Sequence, residues 1–134
     1  PMLEKIKLFR MTLFNFLIGN EDMHLKNYSI ITRDDKIEIS PAYDLINSTI
    51  ALRNPQEEFA LPLRGKKSKL TKNDIIDYWG KERLGLSGKS IQVVSDKIAA
   101  SYQKWNDLIG VSFLSSEMKQ KYYDLLEERK SILI

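Results

Sequence analysis

Asp22, Asn27 and Asp44 are the residues whose types and order suit a definite chemistry. Four residues separate Asp22 from Asn27, and a stretch of hairpin character separates Asn27 from Asp44. Phosphoryl transfer needs a carboxylate beside the acceptor hydroxyl and oxygen ligands for a divalent cation on the phosphates. In that order Asp22 would orient the hydroxyl and accept its proton, while Asn27 and Asp44 would hold the metal. Neither Asp lies in a helical pattern, as expected of catalytic groups carried on loops. Taken singly, each Asp or Asn is more often a turn or cap residue, because its side chain bonds to nearby backbone. Their joint arrangement is what points to a site. His24 and Lys26 share the loop and are given supporting roles only, His24 as a hydrogen-bonding residue and Lys26 as a brace or phosphate contact.

The elements that must position these residues follow from periodicity. Leu3, Ile6, Phe9, Leu13, Phe16 and Leu17 recur at helical spacing, and Leu8, Met11, Phe14 and Ile18 fill other faces, so residues 3–18 are expected to form a helix buried on most sides. Gly19-Asn20 would end it, since both tolerate left-handed backbone angles. The loop 21–27 follows. Residues 28–32 and 36–40 read as the strands of a small hairpin turning at Arg33-Asp34-Asp35, and Pro41-Ala42-Tyr43-Asp44 ends the second strand. Residues 47–58, with Asn54-Pro55, read as irregular chain. Thr71 is expected to cap a helix reaching about Trp79, with Asp74 in a capping-box position. Ile91, Val94, Ile98, Tyr102, Trp105 and Ile109 predict one long amphipathic helix from Ser87 or Gly88 to Gly110. A last helix is expected from Ser115 or Ser116, with Met118, Tyr122, Leu125 and Leu126 inward. The fold class expected is mainly α with a small β-hairpin, in one domain of 134 residues.

Composition narrows the function. The chain has no cysteine and one histidine, which excludes thiolate chemistry and a multi-histidine metal site within one chain. A net charge of +3 names no partner by itself. The most apolar stretch, residues 2–18, carries Glu4, Lys5, Lys7 and Arg10, so no membrane span is expected, and a cytoplasmic location is the default. Pro1 precedes Met2 and the apolar pattern is under way by Leu3, so an upstream region is expected.

The run Asn20-x-Asp22-x-His24-x-Lys26-Asn27, followed by Tyr28-Ser29 and by a Pro-x-Tyr-Asp ending at Asp44, resembles the HipA-like serine/threonine protein kinases, toxins of bacterial toxin–antitoxin pairs. The resemblance is strong over residues 14–46 and weaker beyond, where residues 60–70 also look like the C-terminal region of that family. It implies the helical C-lobe of a protein-kinase-like fold, use of ATP and Mg²⁺, and transfer to a seryl or threonyl hydroxyl. By position it makes Asp22 the catalytic base and Asn27 and Asp44 the metal and cofactor ligands. The implied partners are a protein substrate, an aminoacyl-tRNA synthetase or the kinase itself, and an antitoxin of HipB type. A phosphate-covering glycine-rich loop is absent, because no G-x-G occurs, and only 21 residues precede Asp22. The nucleotide-binding lobe is therefore expected in the upstream region, and the fragment alone is expected to be inactive.

Residues 64–72 contain Arg64, Lys66, Lys67, Lys69 and Lys72 and no acid. A solvated basic loop is the commoner meaning, and direct nucleic-acid binding is not expected. Gly65-Lys66-Lys67-Ser68 is not a Walker motif, since the first glycine of G-x-x-x-x-G-K-[ST] is missing: position 60 is Ala. The competing function is a non-catalytic protein- or nucleic-acid-binding module in which the kinase-like loop is a relic and residues 64–72 dock the partner. The intact set Asp22, Asn27 and Asp44 favours the enzyme. Trp79, Tyr102, Trp105, Tyr122 and Tyr123 sit at helix-face spacing and are expected in the core.

Overall fold

The apolar periodicity of the first helix places it at the centre of the molecule. The computed structural model describes residues 1–43, 45–52, 57–59 and 61–134, so Asp44 and the Asn54-Pro55 turn lie outside the described residues. Helix α1 (Met2–Ile18) buries Phe9, Leu13, Phe16 and Leu17, and is packed by the other elements on several sides. Its first turn is less enclosed than the periodicity suggested, and Leu3 is exposed. After α1 come a 3-10 turn (Leu25–Asn27), strands β1 (Ile30–Arg33) and β2 (Lys36–Ile39), a second 3-10 turn (Thr49–Ala51) and a π-helix (Asn73–Arg83). Helices α2 (Gly88–Ala99), α3 (Tyr102–Val111) and α4 (Ser116–Leu133) complete the order. The molecule is mainly α, with one two-stranded antiparallel sheet among the described residues. Among the described residues no helix is long and apolar enough to cross a membrane.

The hairpin pairs Ile30 with Ile39 and Arg33 with Lys36. Asp34 and Asp35 both take positive φ, 50° and 60°, the conformation a tight two-residue hairpin turn requires. Arg33 therefore belongs to the strand rather than to the turn. Glu4 of α1 anchors the far end, where its carboxylate accepts the Ile39 N–H at 2.7 Å.

Helix starts follow the sequence expectation. Thr71 and Asp74 form a reciprocal capping box: the Asp74 carboxylate accepts the Thr71 N–H at 2.9 Å, and the Thr71 hydroxyl accepts the Asp74 N–H at 3.2 Å. Ser87 and Ser115 accept from the N–H groups of Ser90 and Met118. Three expectations are corrected. The helix after Thr71 runs on to Arg83 as a wide π-helix; Gly80 lets it close on the core, since a Cβ there would lie 2.9 Å from Phe9. The expected long helix is two helices. The chain tightens at Ala100–Ser101, where the Ser101 N–H bonds to Ile98 O at 2.9 Å and its hydroxyl donates back to Lys97 O at 3.0 Å. Finally, Gly110 does not end α3. The stop comes at Ser112, whose hydroxyl donates to Ile109 O, and Gly110 instead admits the Tyr123 hydroxyl of α4.

Trp79, Tyr102 and Trp105 pack against the main core, as expected of helix-face aromatics. Trp79 also donates to the Thr12 hydroxyl at 3.0 Å, satisfying its indole N–H.

The basic segment 64–72 is tied to the protein's own acids. Lys66 reaches the Asp74 carboxylate at 2.7 Å, Lys67 lies 3.6 Å from Glu57, and Arg64 donates to Asn73 and stacks on the Tyr78 ring. Asp74 is only 3% exposed. Burial pushes its pKa up, but hydrogen bonds from Lys66 and Thr71 outweigh this, and the net shift is downward from 3.8. A carboxyl whose folded pKa is depressed contributes stability above its ordinary pKa, and that stability is lost as pH falls through the folded value. Asp74→Asn is therefore expected to cost about 1.5–3 kcal/mol at neutral pH. In urea unfolding across pH 2–7, the gap between wild type and variant should narrow below about pH 4. A gap constant with pH would contradict the assignment.

Candidate active site

The loop that carries Asp22 hangs from the C-terminus of α1, and its shape begins with that helix ending. Gly19 takes a left-handed conformation with φ 73°, and the Asn20 N–H reaches back to Asn15 O at 2.9 Å while the Gly19 N–H bonds to Phe16 O. The reversal is specific to glycine. A Cβ at position 19 would collide with the Leu125 side chain and come within 2.8 Å of the Asn47 amide oxygen.

Asn20 is 1% exposed, and its amide does two jobs. Its Nδ2 donates to Asn15 Oδ1 at 3.0 Å, and its Oδ1 accepts the Asp22 N–H at 3.2 Å. Asn27 completes the brace from the other side: its Nδ2 donates to Asp22 O at 2.8 Å, and the same carbonyl accepts the His24 N–H at 2.9 Å. Both backbone polar groups of Asp22 are thus committed inside the loop. Its side chain is not: the carboxylate is 53% exposed, with His24 Nε2 3.3 Å away. The structure therefore brings Asp22, His24 and Asn27 together, and leaves Lys26 on the outside, where its carbonyl accepts the Tyr43 hydroxyl at 3.3 Å.

Position 44 lies outside the described residues, but its neighbours along the chain are tied to this loop. Tyr43 bonds to Lys26 as above. Beyond it, the Ser48 and Thr49 N–H groups both donate to Gly19 O at 3.1 Å, and the Glu21 N–H donates to the Ser48 hydroxyl at 3.1 Å. Among the described residues no group of three or more His, Cys, Asp or Glu is arranged to hold a metal. A Mg²⁺ site made of one or two side chains and nucleotide phosphates does not require one.

Sequence reasoning missed three supports. Asn15 and Asn20 pair through their amides in the interior; the signal is an Asn set among Leu13, Phe14, Phe16 and Leu17, since a buried amide calls for a partner. Arg129 of α4, 4% exposed, donates to Phe16 O at 2.7 Å, stacks on the Phe16 ring and lies 3.6 Å from Glu58. Glu21, beside Asp22, has its pKa raised by burial first and then by Glu57 and Asp22, against the pull of Arg129.

On the far side of the loop an apolar cleft of about 470 Å³ runs between Met23, Leu25 and Tyr28 and the core residues Leu8, Phe59 and Trp79.

The family model described as HipA-like C-terminal domain matches residues 2–105. The chain is 35% identical over 79 residues to "Putative kinase Y4mE" of Sinorhizobium fredii, covering 59% of this chain and 18% of that protein. It is 41% identical over 81 residues to "Putative kinase Y4dM" of the same organism, covering 58% of this chain and 20% of that protein. The matched segment spans about a fifth of the length of these curated relatives.

Proposed function

This chain belongs to the HipA-like C-terminal domain family, and from that premise we propose that it is the catalytic-loop lobe of an ATP- and Mg²⁺-dependent serine/threonine protein kinase. The relatives bear the name kinase, which supports a kinase-like domain at the level of the family.

The observation that carries the reading is the clasp on Asp22. Asn20 and Asn27 hold its backbone from two sides while its carboxylate faces solvent, as a group must if it is to meet an acceptor hydroxyl. In the proposed reaction the seryl or threonyl oxygen bonds to the γ-phosphorus of ATP, the bond from that phosphorus to the β-bridging oxygen breaks, and the hydroxyl proton passes to Asp22. Asn27 suits a hard cation: its Nδ2 is spent on Asp22 O, and its Oδ1 accepts no hydrogen bond among the described residues. Mg²⁺ bound there with Asp44 would neutralise charge on the phosphates. The bonds of Tyr43 and Ser48 to residues 19–26 support Asp44 as the second ligand.

The rest of the machinery is proposed to come from the same polypeptide, with a nucleotide-binding lobe upstream of this domain. A protein substrate, an aminoacyl-tRNA synthetase or the kinase itself, and restraint by an antitoxin of HipB type belong to the same proposal. The alternative module, docking through residues 64–72, is disfavoured by the pairing of Lys66 and Lys67 with Asp74 and Glu57. The test is incubation of the intact protein with γ-labelled ATP. Label on seryl or threonyl residues, abolished by chelation of Mg²⁺ and much reduced in Asn27→Ala, is the expected result; no incorporation under any condition would remove the kinase reading.

A further inference from the structure

A cleft of about 550 Å³ opens between α1, the end of β2 with Pro41 and Ala42, and the α2–α3 junction, on the face of α1 away from the apolar cleft described above. Its floor is aromatic and fixed. Phe14 and Trp105 meet edge to face at 5.3 Å, and Tyr102 holds Trp105 from behind at 5.2 Å. Among the described residues its rim is cationic, with Lys7, Arg10, Arg33 and Lys97 against the carboxylate of Glu38. Two of these cations are already engaged, Lys7 with Glu4 at 2.8 Å and Arg33 with Glu38 at 3.7 Å. Arg10 and Lys97 are exposed and make no ion pair among the described residues.

We propose that this cleft docks an acidic peptide segment bearing a bulky apolar side chain, supplied by the protein substrate of the kinase reading on which the inference rests. Charge complementarity decides the occupant. Carboxylates of the segment would pair with Arg10 and Lys97 at the rim, and an aromatic or branched aliphatic side chain would fill the space over Phe14 and Trp105, the usual division between polar rim and apolar anchor. Such a segment would lie beside Pro41-Ala42, immediately before the chain reaches Tyr43, whose hydroxyl bonds to the Asp22 loop. Docking here would hold a substrate near the loop without contacting the reacting atoms, and so set which proteins are used. A nucleic acid is the less favoured occupant, because most of the lining other than the cations is apolar and, among the described residues, two of its four cations are already paired.

The experiment measures binding by fluorescence anisotropy in the intact protein without ATP, so its outcome is independent of catalysis. The probe is a fluorescein-labelled peptide of alternating glutamate and leucine; the controls are the same peptide with lysine for glutamate and a labelled oligothymidylate. The expected result is saturable binding of the acidic peptide alone, weakened about tenfold or more in Arg10→Glu/Lys97→Glu and by added salt. Arg10→Gln/Lys97→Gln should show the same trend with less perturbation of the helices. Undiminished affinity in both double variants would overturn the proposal, as would equal binding of the lysine peptide or tighter binding of the oligonucleotide. A protein that binds the acidic peptide yet transfers no phosphate would sink the kinase reading and leave the docking cleft standing.

Discussion

Asp22→Ala in the intact protein is expected to lower phosphoryl transfer by about 10²- to 10⁴-fold, the contribution typical of a positioned general base. The fold should be unaffected. The Asp22 side chain is half exposed, and among the described residues its close partner is the similarly exposed His24 at 3.3 Å, a contact between groups that water screens. The elements that shape the loop use only the backbone of Asp22, through Asn20 and Asn27, and alanine keeps that backbone. The loss should appear in kcat with little change in the unfolding midpoint. Retained transfer in Asp22→Ala would remove this residue from the chemistry.

Arg129→Ala is expected to destabilise the protein by about 3–5 kcal/mol, because it breaks a buried ion pair from one side. The guanidinium satisfies Phe16 O near the end of α1, stacks 4.7 Å from the centre of the Phe16 ring and neutralises Glu58, whose other oxygen accepts the Leu70 N–H at 2.8 Å. Truncation would leave a carbonyl and a carboxylate poorly paired, together with a void. Burial lowers the Arg129 pKa, and Glu58, Glu128 and Glu21 oppose this by favouring its charge. Arg129→Lys keeps the charge but cannot reach Phe16 O and Glu58 with one planar fork, so it should recover only part of the loss. Urea unfolding is the measurement, with a lower midpoint and an unchanged slope. A loss below about 1 kcal/mol would show that the pair is not the clamp described here.

The parts of the fold that local chemistry dictates were legible in the sequence. Gly19 ends α1 in a left-handed conformation, while Asn20 does not use one; Asp34-Asp35 turns the hairpin, and Thr71, Ser87 and Ser115 start helices through their side chains. The break between α2 and α3 was not, because Ile98, Tyr102, Trp105 and Ile109 keep helical spacing straight across it. Periodicity reports which face is buried, and the same face is buried on both sides of the break. The π-helix was hidden too: Gly80 packs close to Phe9 and Ile91, residues of other helices, and nothing in its local spacing separates a π-helix from an α-helix. Arg129 bonds to a carbonyl 113 residues away, so nothing in its own neighbourhood announced it.

The same division holds for the candidate site. Asp22 and Asn27 were found from residue type and spacing, and the structure joins them through a 2.8 Å bond from the Asn27 amide to the Asp22 carbonyl. Asn20 reads as a helix terminator and as the start of the family-like run, yet neither reading shows that its side chain links the interior to the Asp22 backbone. A backbone signal and a side-chain role coincide in that residue, and the sequence exposed only the first.

The central claim is that Asp22, Asn27 and Asp44 act on one Mg²⁺·nucleotide. A crystal structure of the intact protein with Mg²⁺ and a non-hydrolysable ATP analogue tests it most directly. The account predicts the metal about 2.0–2.1 Å from Asn27 Oδ1 and from an Asp44 carboxylate oxygen, with the Asp22 carboxylate facing the γ-phosphate. A nucleotide seated elsewhere, or a metal that Asn27 and Asp44 do not touch, would contradict it.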